Sequence, residues 1–345
     1  MTKARENSDY TGLQGDLAGL QTNITAGDTA ARAGRKNLII NGDNRISQRG
    51  TYTSALDFVH NSYLLDRWIA GKSGGSIDGT ITHSSDTVNG AVCKTQKYIV
   101  TTGHAGSWIG GRQILEFPET FIGRTLTVSA WVKSNSDDAR ILLWDVGSGT
   151  NTAIATQAHT GGGAWEYLSS TGTVMAGTTG LTLYMATLSA TAAAVTTSTG
   201  DYIEFTNVQI ELGSVATDFE HRSYGEELAL CQRYYEVIAD GSVSQVQTFG
   251  IGHGYKSDQI NWFYQFKVSK RTEAFTLEVV STSTGYRARS HSTNKFSTTL
   301  GMSANLQSIN QIEGYMTAIS GITEQSCWSL LLNQPSSKIA VSAEL

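Results

Sequence analysis

The stretch DYIEFTNVQIELGSVATDFEHRSYGEELALCQRYYE, residues 201–236, contains a strand, a corner and a short helix in direct succession. Apolar and polar side chains alternate over residues 207–212, and this period of two predicts a half-buried strand. Gly213 ends the alternation. Ser223 precedes Glu226 by three residues, which is the spacing of a capping box at the start of a helix. The stretch therefore predicts that one β-domain closes here and that a helix joins it to another.

The composition predicts an all-β protein with two domains. The 345 residues include 36 glycines and only 2 prolines, and short runs of Thr, Val, Ile and Tyr alternate with glycine-containing turns. We expect an N-terminal helical oligomerisation segment over 1–36 and a jelly-roll β-sandwich of roughly eight strands over 37–224. A short linking helix over 225–236 and a C-terminal β-sandwich domain over 237–345 complete the prediction.

Three segments shape the prediction for the C-terminal domain. QINWFYQFKVS (259–269) alternates strictly and is followed closely by FTLEVV (275–280), which predicts a hairpin of two strands. KIAVSAEL (338–345) alternates to the last residue, so we expect a paired strand there.

Charge and cysteine usage exclude several classes of protein. The formal net charge of −5 does not favour a nucleic-acid partner, which would require a basic patch. No apolar run reaches the ~20 residues of a membrane helix, and the N-terminus has no apolar signal-peptide core. We therefore expect synthesis and folding in a cytoplasm, and no insertion into a membrane. Cys93, Cys231 and Cys327 fit neither a disulfide framework nor a zinc pattern, and we expect them to be buried small residues.

An apolar seam near the N-terminus suggests self-association. Its residues recur at alternating spacings of three and four, as a and d positions of a coiled coil do: Tyr10, Leu13, Leu17, Leu20 and Ile24. Three glycines weaken a helix here, so a single copy would fray while several copies would bury the seam. A flexible, basic joint over GDTAARAGRK (27–36) would then follow the bundle. The alternative is a disordered leader.

The stretch that begins at 208, VQIELGSVATDFEHRSYGEELALCQRYYE, resembles a segment of tail fibre and receptor-binding proteins of tailed bacteriophages. In that family it closes a jelly-roll, carbohydrate-binding-module-like domain. NLIINGDNRISQRG (37–50), YLLDRW (63–68) and GRTLTVSAWVKS (123–134) are similar to further segments of the family. The resemblance covers roughly residues 37–236. None of the motifs that carry it is a catalytic motif.

The resemblance implies a virion protein that recognises a receptor or builds a fibre. We expect a homotrimer that attaches to a phage tail or baseplate protein through its N-terminal segment and binds a host cell-surface polysaccharide. The C-terminal β-domain over 237–345 would be the receptor-binding tip, and the jelly roll could add weak glycan affinity. Two alternatives remain. One is a structural baseplate or decoration protein whose β-domains only contact other subunits, and the other is a glycan depolymerase.

Aromatic and basic side chains suggest where a glycan would bind, because flat rings stack on sugar rings while polar neighbours bind hydroxyls. Trp131 points away from the apolar stripe of its predicted strand; the alternatives are that it lies beneath the second sheet or at a subunit interface. In the predicted loop 285–295, Tyr286 would provide a stacking face. The same loop would provide charge for an anionic glycan from Arg287, Arg289, His291 and Lys295, and its alternative is an ordinary solvated basic loop.

No sequence motif indicates catalysis. Nucleophile-elbow, zinc-protease, Walker A, dinucleotide and EF-hand patterns are absent from the sequence. Carboxylate pairs from distant strands stay possible. Asp137 and Asp138 follow a polar turn where calcium could bind, although a solvated turn is the simpler interpretation. We predict a protein without enzymatic activity, cofactor or metal.

Overall fold

The computed structural model describes two compact units of the chain, one ending at His221 and one running from Arg222 to Leu345. The described residues begin at Lys36 and exclude 51, 75, 148–150, 242–246, 281–284, 291–292, 298, 318, 333, 335–336 and 345, together with the side chains of 303–307. The predicted oligomerisation residues, Tyr10, Leu13, Leu17, Leu20 and Ile24, lie outside this description. Within it, no helix is long and apolar enough to cross a bilayer.

The described part of the first unit contains twelve strands and one 3-10 turn at Pro118–Phe121. The strands are β1 (Leu56–Asp57), β2 (Ser62–Tyr63), β3 (Ile69–Ser73), β4 (Asp78–Val88), β5 (Ala91–Thr102), β6 (Trp108–Ile114), β7 (Thr125–Ser134), β8 (Ala139–Gly147), β9 (Asn151–Ala158), β10 (Trp165–Thr173), β11 (Thr178–Thr187) and β12 (Tyr202–Leu212).

These strands form two six-stranded sheets, with the orders β1-β4-β5-β12-β7-β10 and β2-β3-β6-β11-β8-β9. Strand β5 pairs with β12, β6 with β11, β7 with β10 and β8 with β9, all antiparallel. This nested pairing is that of a long hairpin folded over into two sheets, which is the jelly roll. The predicted jelly-roll β-sandwich is confirmed.

The core of the first unit lies between the two sheets. On β7 the predicted stripe Leu126, Val128, Ala130 and Val132 is buried, and Trp131 projects from the opposite face. Trp68 is buried as well, and its indole N–H donates to the Asn41 carbonyl at 2.9 Å.

Strand β12 is buried on both faces, whereas the sequence predicted a half-buried strand. Gln209 and Glu211 are 0% and 4% exposed although they alternate with the apolar side chains. The chain after Gly213 turns back across this face, and the Thr217 N–H donates to the Glu211 carboxylate at 2.8 Å. The Glu220 N–H donates to the Gln209 side-chain oxygen at 2.9 Å. Because both polar groups find partners in this returning segment, they tolerate burial.

The returning segment also holds the start of the described chain. The Glu220 carboxylate accepts the backbone N–H groups of Lys36 at 3.2 Å and Asn37 at 2.8 Å. The Asn37 side chain donates to the Val208 carbonyl at 3.0 Å and accepts the Ile210 N–H at 3.1 Å. The polar positions of the phage-like motif therefore build the framework of the jelly roll.

The second unit begins with the only helix among the described residues, α1 (Tyr224–Gln232). Its strands are β13 (Tyr235–Asp240), β14 (Gln247–Lys256), β15 (Gln259–Gln265), β16 (Thr276–Val280), β17 (Tyr286–Ser290), β18 (Thr293–Ser297), β19 (Thr299–Ser308), β20 (Gln311–Thr317), β21 (Cys327–Leu332) and β22 (Lys338–Ser342). They form a three-stranded sheet, β13-β22-β16, and a seven-stranded sheet, β18-β17-β21-β14-β15-β20-β19. One apolar core takes side chains from both sheets, as a β-sandwich requires.

The predicted capping box is present at the start of α1. The Glu226 N–H donates to Ser223 Oγ at 3.2 Å, and the Ser223 N–H donates to the Glu226 carboxylate at 2.9 Å. The helix ends at Gln232, earlier than the expected 236, because Tyr235 already pairs with Ser342 of β22.

Other local predictions differ from the structure because strand partners are distant in sequence. Strand β16 does not form a hairpin with β15; it pairs with β22, which lies between β13 and β16. The C-terminal strand is therefore paired on both sides, as expected. Of the cysteines only Cys231 is buried, while Cys93 is half-buried and Cys327 is exposed.

Candidate functional site

The outer face of the β1-β4-β5-β12-β7-β10 sheet carries an open cleft of about 450 Å³. Its lining combines aromatic, amide, hydroxyl and carboxylate side chains: Val88, Asn89, Ala91, Val92, Cys93, Ser129, Trp131, Tyr167, Asn207, Asp218, Phe219 and His221.

Two aromatic side chains from neighbouring strands form one side of the cleft. Trp131 of β7 and Tyr167 of β10 are direct cross-strand partners, so their side chains project from the same face. Their ring centroids lie 5.5 Å apart with planes tilted by 56°. Tyr167 is 43% exposed, which leaves much of its surface free for a ligand.

The segment that returns across β12 provides the other aromatic residues. The rings of Phe219 and His221 meet edge to face with centroids 4.9 Å apart. Their neighbour Glu220 is fixed by bonds to Gln209 and to the backbone of Lys36. The buried polar framework of the jelly roll therefore positions this side of the cleft.

A bulge in β12 places a polar side chain at the cleft. The register of β12 against β7 shifts between Thr206 and Gln209, and Asn207 has a φ of 51°, in the left-handed region. Bulges of this kind redirect side chains. The Asn207 amide donates to Cys93 Sγ at 3.9 Å. Burial raises the pKa of the Cys93 thiol, which keeps it neutral near pH 7.

A smaller pocket of about 190 Å³ shares Val92, Cys93, Asn207 and His221 with the cleft. Its remaining lining is charged: Asp43, Arg45 and Lys94. Arg45 forms an ion pair with Asp43. The two pockets together make a groove with an aromatic part and a charged part.

A charged pair stands beside the aromatic side of the cleft. Lys133 of β7 is the cross-strand partner of Trp165, and Lys133 Nζ lies 2.9 Å from Asp86 Oδ2. The Trp165 indole N–H donates to the same oxygen at 3.1 Å. The hydrogen bond from Lys133 lowers the pKa of Asp86, and the same bond raises the pKa of Lys133. Both groups are therefore charged near neutral pH.

The structure separates the residues that the sequence suggested for glycan binding. Trp131 lies in the cleft. The predicted loop 285–295 instead contains the paired strands β17 and β18. Tyr286 is 0% exposed, so it provides no stacking face, and its hydroxyl donates to the Val280 carbonyl at 3.1 Å.

The basic residues of that hairpin lie on different faces. Arg287 and Arg289 alternate with the buried Tyr286 and Ala288, and they point outward. Lys295 pairs with Ala288, on the other face from the two arginines. His291 lies outside the described residues.

Sequence reasoning missed Tyr167, Phe219 and His221. Tyr167 could have been found from the sequence, since WEY at 165–167 would place two aromatic side chains on one face of a strand. The structure pairs that strand with the one that contains Trp131. No sequence pattern indicates Phe219 and His221, because they follow a turn and show no periodicity. Within the described ranges, no group of three or more His, Cys, Asp or Glu side chains could hold a metal ion.

Searches against known proteins give matches of fold only. No family model and no curated protein matches the chain. The CBM22-1 and GH10 modules of endo-1,4-β-D-xylanase 10B from Clostridium thermocellum, complexed with xylohexaose, are 19% identical over 50% of this chain and 30% of that chain, with a TM-score of 0.31. A putative sugar binding protein from Bacteroides thetaiotaomicron is 9% identical over 52% of this chain and 100% of that chain, with a TM-score of 0.34. The enzymatically active domain of tailspike protein 4 from bacteriophage CBA120 is 15% identical over 51% of this chain and 21% of that chain, with a TM-score of 0.34.

Proposed function

We propose that this chain is a tail fibre protein of a tailed bacteriophage that binds a polysaccharide of the host surface through the cleft of the jelly roll, without catalysis. The observation that carries the proposal is the composition of the cleft. Trp131, Tyr167, Phe219 and His221 line the cleft with aromatic rings, and Asn207, Ser129 and Asp218 add polar groups to its lining.

This composition suits a sugar chain. Each sugar ring has an apolar face that stacks on an aromatic side chain and a rim of hydroxyls that bind amides and carboxylates. The cleft is open, and its continuation past Cys93 and His221 leaves room for a polymer. Trp131 and Tyr167 belong to paired strands, so little conformational entropy is lost when a ligand binds.

The phage assignment rests on the sequence motifs. Four polar residues of these motifs make hydrogen bonds that hold the jelly roll together: Asn37, Gln209, Glu211 and Glu220. The resemblance therefore supports a type of domain, and it does not specify the ligand. In the proposed virion, the N-terminal segment joins three copies of the chain and attaches the homotrimer to a tail or baseplate protein. Several weak sites on one fibre then gain avidity through their high effective concentration.

The absence of catalysis is part of the proposal. Glycoside hydrolases commonly use two carboxyl groups that flank the scissile bond. The groove contains two carboxylates: Asp218 lines the larger cleft, and Asp43, which forms an ion pair with Arg45, lines the smaller pocket. Incubation of the protein with the polysaccharide should release no reducing ends, and a steady release would favour the depolymerase instead.

A host-cell pull-down with full-length protein tests the binding function. Trp131→Ala should reduce binding about fivefold or more, if stacking on this ring contributes ~1–3 kcal/mol, as the stacking of a nucleobase on an aromatic side chain does. Tyr224→Ala is the matched control, because Tyr224 is 58% exposed on the helix of the second unit and lies outside the cleft. Equal binding by the Trp131 variant and the wild type would place recognition elsewhere. A wild type that binds no host cells would favour the structural virion protein.

A further inference from the structure

The outward face of the seven-stranded sheet in the second unit exposes large apolar side chains. Ile251 of β14 is 71% exposed and Phe263 of β15 is 48% exposed. The two are direct cross-strand partners on adjacent strands, so they form one patch rather than two isolated contacts with water. Phe296 of β18 is 47% exposed on the same face.

Cross-strand pairing arranges this face in an ordered row. Arg289 pairs with Ser329, Ser329 with Ile251, Ile251 with Phe263, and Phe263 with Glu313. The row therefore runs from a positive side chain through an apolar centre to a negative side chain. Arg287, on the same face as Arg289, adds to the positive side.

The fold of the second unit does not require this pattern. Its core lies on the other face of the sheet, where Trp262 and Leu330 are buried against side chains of the three-stranded sheet. A sheet face directed to water ordinarily carries polar side chains, and a contiguous apolar patch marks an interaction surface. Aromatic and aliphatic side chains bordered by arginine are typical of the centre of a protein–protein interface.

We propose that this face binds the same face of a second copy of the chain, in a pairwise contact that is separate from the N-terminal contact expected to join three copies. A half-turn about an axis parallel to β14 reverses the order of the row, so it brings Arg289 of each copy opposite Glu313 of the other. The same operation places Ile251 against its counterpart near the axis. A surface that is complementary to itself in this way makes an isologous contact.

Charge complementarity favours a second copy over an anionic glycan as the occupant. A glycan bound through Arg287 and Arg289 would leave Ile251 and Phe263 exposed and would meet Glu313 at the far side. A second copy covers the apolar centre and pairs both charged sides. This contact is independent of the jelly-roll cleft, so it stands or fails separately from glycan binding.

Cys327 gives a site-specific readout of the contact. It is exposed, pairs with His253 next to the row, and projects from the same face. Cys231 is buried and Cys93 is half-buried, so a bismaleimide applied to the folded full-length protein reacts preferentially at Cys327. We expect a covalent dimer on a denaturing gel, and we expect its loss in Cys327→Ser.

Charge reversal tests the proposed pairing. Arg289→Glu alone and Glu313→Arg alone should each reduce the yield of cross-linked dimer about tenfold, because like charges then face each other. The double variant should restore the yield, since it exchanges the two sides of the row. Ile251→Asp should abolish the cross-link, with an unchanged circular dichroism spectrum to show that the unit is folded.

Several results would overturn the proposal. They are the absence of cross-linking in the wild type, a yield unaffected by Ile251→Asp, or a double variant no better than the single ones. A loss of anionic glycan binding in Arg289→Glu, with no dimer in the wild type, would identify the face as a receptor site instead.

Discussion

The two units bury glutamates in different ways. In the first unit the buried glutamates should matter for both stability and binding, and in the second unit for stability only. In the first unit, Glu220 accepts two backbone N–H groups and Glu211 accepts the N–H and hydroxyl of Thr217. In the second unit, Glu236 pairs with the Lys270 ammonium at 2.5 Å, and both side chains are fully buried. Tyr264 donates its hydroxyl to the same carboxylate at 2.8 Å.

The two glutamates differ in function because they fix different parts of the structure. Glu220 fixes the path of a segment whose next-door side chains, Phe219 and His221, border the cleft. Glu236 joins strands and a loop within a core, and it lines neither of the two pockets described above. Disturbing the first should therefore alter both folding and binding, while disturbing the second should alter only folding.

The largest effect is expected from Lys270→Met. It leaves the Glu236 carboxylate buried without its cation, which costs about 3–5 kcal/mol of the free energy of unfolding. Burial lowers the pKa of Lys270 while Glu236 opposes that shift, so the ammonium depends on this partner. Urea unfolding of the second unit measures the effect.

The matched control for that prediction is Lys267→Met, since Lys267 is exposed and only its backbone N–H donates to Glu236, at 3.2 Å. It should change stability by less than about 0.5 kcal/mol. Glycan binding should persist in Lys270→Met under conditions where the protein is folded. Comparable losses in the two variants would contradict the role of the buried pair.

Glu220→Gln should have the next largest effect on stability, about 1.5–3 kcal/mol. The two carboxylate oxygens each accept one backbone N–H, from Lys36 and Asn37, and the Gln amide replaces one of these acceptors by an NH2 donor. Unlike Lys270→Met, it should also weaken polysaccharide binding, since Phe219 and His221 lose their support. Differential scanning calorimetry and a binding titration on the same sample measure both effects. A loss of stability with full binding would show that the cleft does not depend on this framework.

Some of this architecture could be predicted from the sequence. The alternation in β7 identified the buried stripe and the outward Trp131, and the spacing of Ser223 and Glu226 identified the helix start. Both signals are local. The alternation of Tyr286 and Ala288 with two arginines was also present, and it indicates a strand, although the polar composition suggested a loop.

The remainder depends on contacts between distant residues. Nothing near β16 in sequence specifies that its partner is β22. Likewise, the sequence around Gln209 and Glu211 predicts a solvent-exposed polar face. In the structure the segment containing Thr217 covers both residues. The cleft combines residues from five separate parts of the chain, so its aromatic composition emerges only in the folded domain.

The capping box should contribute a smaller amount. Ser223→Ala removes the side-chain acceptor of the Glu226 N–H, at a cost of ~1 kcal/mol in the second unit. Ser223→Asp, which retains an acceptor, should restore most of the stability in the same urea titration. A Ser223→Ala variant as stable as the wild type would show that α1 contributes little to that unit.

The smallest expected effect is a pH dependence of the first unit. Burial lowers the pKa of His83 below 6.5, and its ring lies 2.8 Å from the Asn44 carbonyl. The unfolded state therefore binds more protons between the lowered pKa and 6.5, so stability is complete above that window and falls as the pH decreases through it. In thermal unfolding across that pH window, the unfolding temperature should depend less steeply on pH in His83→Gln than in the wild type. An equal pH dependence in both proteins would assign the effect to other groups.

The most direct test of the account is a crystal structure of the full-length protein with an oligosaccharide from the host surface. The account predicts a sugar ring stacked on Trp131, between Tyr167 and Phe219, with hydroxyls bound by Asn207 or Asp218. An oligosaccharide bound by Arg287 and Arg289 of the second unit, with the jelly-roll cleft empty, would contradict it.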